Sequence, residues 1–154
     1  MKAIYVSSGN VGALKKHLSD FEKNNHVKSA LFLMAYENHY SGEELLPLLK
    51  KVSKPVIGGV FPEIIYEGAR KDEGVLLILL STELRTQRFD LTETSEKYFS
   101  QLESLLDDPF VPKSGLLVFI DALSSGKQYF IESLFDFFGI FPTYMGGGAG
   151  SLRL

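Results

Sequence analysis

The chain has 154 residues, of which 45% are apolar and 23% charged, and its net charge is −3. This length suits one domain with a buried core, and we predict a single domain over residues 1–154. A net negative chain does not have the basic stripe that is typical of nucleic-acid-binding proteins, so no nucleic-acid partner is expected. Cysteine is absent, which excludes disulfides, thiol nucleophiles and thiolate metal sites and agrees with a cytoplasmic location.

No stretch of the sequence has the features of a signal peptide or a membrane anchor. The first residues pass quickly from a short apolar run into the polar Ser7-Ser8-Gly9-Asn10. The longest apolar run, Val75 to Leu80, is much too short to cross a bilayer. We therefore predict a soluble protein with no membrane insertion.

Strands and helices alternate in the first third of the chain. Ala3 to Val6 predict a short strand, and Val11 to Phe21 carry apolar residues at helical spacing. Ser29 to Tyr36 form a continuous apolar run, typical of a strand buried on both faces. Ser41 and Glu44 then predict a capping box at the start of a second helix.

The middle of the chain predicts a strand, a hairpin and a third helix. The strand through Val56 and Ile57 is broken by Gly58-Gly59. Ile64 to Tyr66 and Val75 to Leu80 predict an antiparallel pair joined by a polar turn. The third helix is closed by Asp107-Asp108-Pro109.

The last part of the chain predicts a further strand and helix before a glycine loop. The strand ends at Asp121, and a second capping box, from Ser125 to Gln128, opens the helix. Strands that alternate with helices predict an α/β fold with a layered, mixed and largely parallel sheet. Because only Leu152 to Leu154 follow the loop Gly146 to Ser151, we expect the chain to be part of a longer protein.

One pattern occurs twice along the chain: an apolar strand, an acidic residue, a Ser-Gly pair, a helix, a strand and a double glycine. The first copy contains Glu37 and Gly58-Gly59, and the second contains Asp121 and Gly146-Gly147-Gly148. Such self-similarity is typical of one supersecondary unit used twice. We predict two similar strand-helix-strand units that place two acids and two glycine turns around one pocket.

The two acidic residues, Glu37 and Asp121, each follow an apolar strand. Ligands of parallel α/β sheets bind outside the carboxyl ends of the strands, so both carboxylates are candidates to receive an ammonium or hydroxyl group. The alternative is that each carboxylate only accepts bonds from the amides of its own loop.

The glycine segments, Gly58-Gly59 and Gly146-Gly147-Gly148, allow close approach of a ligand and can form an anion-binding nest of amides. The alternative is tight packing or a simple bend. Ser151 stands where a dinucleotide fingerprint needs its third glycine, and Ser125-Gly126-Lys127 lacks the upstream glycine of a P-loop. We therefore reject both nucleotide motifs.

Catalytic and metal-binding signatures are weak. The three histidines show no pairing at helical spacing, and no G-x-S-x-G motif is present. His17 is expected to be solvated, and His39 is the one histidine near a candidate carboxylate. We predict no catalytic residue, no metal site and no cofactor.

Three places in the sequence resemble one known family. These are the strand Val56 to Gly59, the strand Leu117 to Leu123 with its Asp121 step, and the glycine segment Pro142 to Gly150. Together they resemble the N-terminal FIST domain, named for its occurrence in F-box and intracellular signal-transduction proteins. Members of that family continue into further strands and a C-terminal domain.

The resemblance implies a sensory module of a signalling protein that binds small ligands such as amino acids. We predict that Gly146 to Gly148 hold the ligand carboxylate and that Asp121 receives its amine. Glu37 and Gly58-Gly59 are secondary candidates. A signalling output domain or a partner protein is expected. The alternatives are an enzyme in which Asp121 or Glu37 is a general base and a protein-interaction module without a pocket.

Overall fold

The computed structural model describes residues 1–7, 9–38, 40–104 and 115–150. The described chain divides into two compact units, Met1–Thr86 together with Gly150, and Gln87–Ala149. His39 and the predicted helix end at Asp107-Asp108-Pro109 lie outside the described residues.

The first unit contains two helices and six strands. Its elements are β1 (Lys2–Val6), α1 (Val11–Lys23), β2 (Ser29–Ala35), α2 (Gly42–Leu49), β3 (Val56–Phe61), β4 (Ile64–Tyr66), β5 (Ala69–Lys71) and β6 (Val75–Leu80). Four of these strands form a sheet in the order β1-β6-β2-β3, and β4 and β5 form a separate hairpin. Strand β6 runs antiparallel to β1 and β2, whereas β2 and β3 are parallel.

The second unit contains two helices and one pair of strands. Its elements are α3 (Ser95–Ser104), β7 (Gly115–Asp121), α4 (Lys127–Phe138) and β8 (Thr143–Ala149). Strands β7 and β8 are parallel and are joined through α4. The segment β2-α2-β3 of the first unit has the same strand-helix-strand arrangement.

The α/β class and the mixed sheet are confirmed, and the largely parallel arrangement is shown only in part within the described residues. The two parallel pairs are β2–β3 and β7–β8, while β6 makes antiparallel pairs on both of its sides. The predicted pairing of β4 with β6 is wrong, because β4 pairs with β5 instead. The turn between those short strands, Glu67-Gly68, has φ angles of 51° and 75°, as tight two-residue hairpins require.

Strand β6 explains how the first unit buries its sheet on both faces. Since side chains alternate along a strand, Val75 and Leu77 face the core under the helices, where both are fully buried. Leu76 lies on the other face and packs with Ala35 and Ile64. An entirely apolar strand therefore occupies the interior of the sheet.

Helix α1 forms because its apolar residues share one face and both its ends are capped. Leu14, Leu18 and Phe21 are buried against the sheet. At the start, the Asn10 side chain accepts a hydrogen bond from the Ala13 amide at 3.0 Å. At the end, the Lys54 ammonium donates to the Phe21 carbonyl at 2.7 Å, which suits the negative end of the helix.

The two predicted capping boxes have different outcomes. Ser41 caps α2, since its hydroxyl accepts from the Glu44 amide and the Glu44 carboxylate accepts from the Ser41 amide. The box predicted from Ser125 to Gln128 is wrong, because α4 begins at Lys127 and its N-cap is Gly126 without a side-chain bond. The Ser-Gly pair therefore has different roles in the two segments.

Aromatic side chains form the core of the second unit. The rings of Tyr98 and Phe130 meet edge to face with centroids 5.3 Å apart, and Phe89 packs on Phe130 at 4.9 Å. Leu116 and Val118 of β7 pack against this cluster. Burial raises the pKa of Tyr98, whose hydroxyl donates to the Asp90 carbonyl at 3.0 Å.

Within the described part of the chain, no helix combines the length and the apolar character needed to cross a membrane.

Candidate functional site

Asp121 is the last residue of β7, and its side chain is exposed. Its Oδ1 accepts a hydrogen bond from the Leu123 amide at 2.9 Å, and its carbonyl accepts from the Ser124 amide at 3.2 Å. This is the turn that short acidic residues make with their own loop. The carboxylate therefore has a fixed position at the carboxyl end of a parallel strand.

The glycines of the second unit lie inside β8 and do not form a turn. Gly146, Gly147 and Gly148 pair with Val118, Phe119 and Ile120 of β7, and Ala149 pairs with Asp121. The prediction that these glycines form a turn is therefore wrong. An extended segment is not an anion nest, which needs successive amides in a turn conformation.

The close approach of the β7 backbone explains why residue 146 is a glycine. A Cβ built on Gly146 would lie 1.8 Å from the Val118 carbonyl oxygen, and the residue has a φ of 136°. A Cβ on Gly148 would lie 2.8 Å from the Ala122 Cβ. Gly147 has no atom within 4 Å of its Cβ position, so it has room that the other two lack.

The corresponding glycines of the first unit also lie inside a strand. Gly58 and Gly59 belong to β3 and pair with Phe32 and Leu33 of β2. A Cβ on Gly58 would lie 1.8 Å from the Phe32 carbonyl oxygen, the same distance as at Gly146. The prediction that Gly58-Gly59 breaks its strand is wrong, because both residues lie inside β3.

Glu37 lies in a turn beyond β2, is exposed, and donates its backbone amide to the Asp72 carbonyl at 3.1 Å. The residue of β2 opposite Gly59 is Leu33, four positions before Glu37. At about 3.3 Å per residue, this separates Glu37 from the glycine pair by roughly 13 Å of chain.

The structure therefore brings together some of the predicted site residues within each unit. Gly148 is next to the Asp121 register position, whereas Gly146 lies three pairs earlier, at Val118. Glu37 and Gly58-Gly59 belong to the first unit and Asp121 to the second.

A cleft of about 320 Å³ in the first unit was not predicted from the sequence. It is lined by residues at or next to β1, in α1, in the turn after α1 and at the end of β6: Met1, Lys2, Ile4, His17, Asp20, Phe21, Asn24, His26, Val27, Leu79 and Ser81. His17, expected to be solvated, is half-buried here. Its spacing with Asp20 and Asn24 places the three on one helical side, which is the signal that could have indicated a shared surface.

The described residues contain no group of three or more His, Cys, Asp and Glu side chains able to hold a metal ion.

Tyr40 is buried beside the carboxyl end of β1, where its hydroxyl donates to the Ser7 carbonyl at 2.9 Å. Burial raises the pKa of this hydroxyl.

Comparison with known proteins identifies one family. The model of the FIST N domain matches residues 29–154, which covers β2 to β8 and most of the chain. Neither curated proteins nor solved structures gave a match. The chain thus belongs to the FIST N-domain family, whose members are sensory domains of signal transduction.

Proposed function

We propose that this chain is a small-ligand-binding sensory domain and that its ligand is an amino acid or a related metabolite. The observation that carries the proposal is the exposed Asp121 carboxylate at the carboxyl end of β7, beside an exposed glycine strand. This is the edge of a parallel α/β unit at which ligands usually bind.

The carboxylate is suited to receive an ammonium group because its position is fixed before a ligand arrives. The bond from the Leu123 amide to Oδ1 restricts the side chain, so less conformational entropy is lost when a ligand binds. A charge-assisted bond between an amine and this carboxylate is stronger than a bond between neutral groups.

The glycine strand supplies backbone donors for the ligand carboxylate. The Ala149 carbonyl accepts the Ala122 amide, so Ala149 faces β7. Successive residues of a strand direct their backbone groups to alternate sides, which directs the amides of Gly146 and Gly148 away from β7. Single amides of an extended strand replace the predicted nest in this proposal.

Glu37 and Gly58-Gly59 have a secondary role in the proposal. They occupy the corresponding segment of the first unit, and Glu37 is exposed. Their support is positional, because the glycine pair lies in mid-strand, well before Glu37. We propose further that the domain reports ligand binding to a signalling output domain or partner in the cytoplasm.

Calorimetric titration with a panel of amino acids tests the proposal. Asp121→Asn keeps an oxygen that can accept the Leu123 amide but removes the charge, so we expect affinity to fall about tenfold or more. Asp136→Asn removes an exposed charge from α4 and is the matched control, with affinity unchanged. Unchanged affinity in Asp121→Asn would exclude Asp121 as the amine receptor.

A protein-interaction module is the second candidate, because large apolar side chains are exposed after α4. Ile140 is 90% exposed and Phe141 66% exposed. Exposed apolar residues grouped in one loop are common at protein contacts. The same titration separates the candidates, since an interaction module gives no heat with any member of the amino-acid panel.

A further inference from the structure

We propose that the cleft at the start of β1 binds a small organic carboxylate with an apolar body. The cleft has a volume of about 320 Å³ and is formed by residues of the first unit alone. It lies where β1 begins and β6 ends. Since β1 and β2 run in the same direction, it is at the end of the sheet opposite Glu37.

Apolar side chains of the core form part of the lining of the cleft. Phe21 of α1 is 1% exposed and Leu79 of β6 is 8% exposed, and both belong to the core of the unit. Ile4 and Val27 pack against the same core and complete the apolar lining. A hydrocarbon or aromatic body of a ligand gains by burial against such a surface.

The described residues that line the cleft include three basic side chains and one carboxylate. Lys2 supplies an ammonium group, and His17 and His26 supply imidazoles that can donate hydrogen bonds. Asp20 is the single carboxylate among the described residues that line the cleft, and it is exposed. An anionic oxygen ligand fits this set better than an ammonium ligand does.

The turn that carries His26 is held by several hydrogen bonds. The Asn24 side chain accepts the His26 amide at 3.0 Å, and the Asn24 carbonyl accepts the Val27 amide at 3.1 Å. Lys54 donates to the Asn24 carbonyl at 2.7 Å from the loop before β3. The rim is therefore organised without a ligand, which reduces the entropy lost on binding.

Residues next to the lining of the cleft are also hydrogen-bonded. The Lys28 amide donates to the Leu80 carbonyl at 2.8 Å, and the buried Ser29 hydroxyl donates to the Thr82 carbonyl at 2.6 Å. These bonds hold the end of β6 beside the turn after α1. The volume lies near the lower limit of known ligand pockets, about 300 Å³, which favours a small ligand.

The test uses the full chain, labelled with nitrogen-15, and 3-phenylpropionate as the probe. We expect saturable shifts of the amide signals of His17, Asn24, His26 and Val27, with a dissociation constant of about 1 mM or tighter. Two matched compounds separate the contributions: 3-phenylpropanol keeps the apolar body without the charge, and propionate keeps the charge without the ring. Both should bind more weakly than the probe.

Lys2→Gln should weaken probe binding about threefold or more, as expected for loss of an exposed charge pair. Lys23→Gln is the matched control, since Lys23 is an exposed residue of the last turn of α1 that does not line the cleft. Absence of saturable shifts at the cleft overturns the proposal, and so does equal binding of the alcohol. Because Asp121 and β8 belong to the other unit, amino-acid binding there can succeed or fail independently of this result.

Discussion

The two strand-helix-strand segments, β2-α2-β3 and β7-α4-β8, share a topology but differ in their surroundings. In the first, β2 lies between β3 and the apolar β6 of a four-stranded sheet. In the second, β7 and β8 form a sheet of their own within the described chain. In each segment, a Cβ built on one glycine (Gly58 or Gly146) would lie 1.8 Å from a carbonyl oxygen of the paired strand. The backbone packing is therefore shared, whereas the loops and caps, which present chemical groups, are not.

The largest expected effect concerns the shared glycine. Gly58→Ala and Gly146→Ala should each lower the free energy of unfolding by about 1–3 kcal/mol, because the new Cβ meets a backbone oxygen. Gly146→Ala should cost more, since its φ of 136° disfavours any L side chain. Urea denaturation of each variant measures the change.

Gly147→Ala is the control for this pair. No atom lies within 4 Å of the new Cβ, so the change should stay within about 0.5 kcal/mol. If Gly147→Ala destabilises the protein as much as the other two variants, close approach is not the reason for these glycines.

A smaller effect concerns the helix starts, where the two segments differ. Ser41→Ala should lower the free energy of unfolding by about 1 kcal/mol, because it removes a capping box that α2 uses. Ser125→Ala should change it by less than about 0.5 kcal/mol, since α4 has no side-chain cap. Thermal and urea unfolding measure both values, and equal losses would contradict the difference between the two starts.

The smallest effect is a difference in titration. The pKa of Glu44 lies below its ordinary value of 4.5, first because the Ser41 amide donates to its carboxylate and then because the Ser41 hydroxyl does. A lowered folded-state pKa means that the stabilisation is present above the unfolded-state value and disappears as the pH falls through the folded-state value. Carbon-detected NMR titration should show the pKa of Glu44 moving part of the way towards 4.5 in Ser41→Ala, because this variant removes the hydroxyl donor and keeps the amide donor.

Ser125→Ala serves as the control in that titration and should leave the Glu44 curve unchanged. The stability difference between wild type and Ser41→Ala should also shrink in acid, once Glu44 is protonated. Because Ser41→Ala keeps the backbone amide that donates to Glu44, a difference that stays constant across the acid range would mean that the bond between the Ser41 hydroxyl and the Glu44 carboxylate adds no stability.

Local patterns predicted much of this fold correctly. The apolar run of β2, the amphipathic α1 and the Ser41–Glu44 box depend on neighbouring residues and were all predicted. The pairing of β6 was missed because an apolar run does not specify its partner strands. The extended glycines were missed because their cause is a carbonyl oxygen on another strand.

The same limit applies to the candidate sites. The strand pattern predicted the position of Asp121 at the end of β7. The bond that its carboxylate accepts from its own loop was predicted as the alternative role. The cleft at the start of β1 was missed because His17, His26 and Lys2 come to line one cleft only through the tertiary fold. Residues of different elements carry no common sequence signal.

The insertion of β6 between β1 and β2 has a consequence for synthesis of the chain. Among the described strands, β1 pairs only with β6, and the register joins Lys2 to Leu79. A nascent chain therefore exposes β1 as an unpaired strand until residue 80 has left the ribosome tunnel. Contacts this distant in sequence form slowly, so closure of this edge should be a late step of folding.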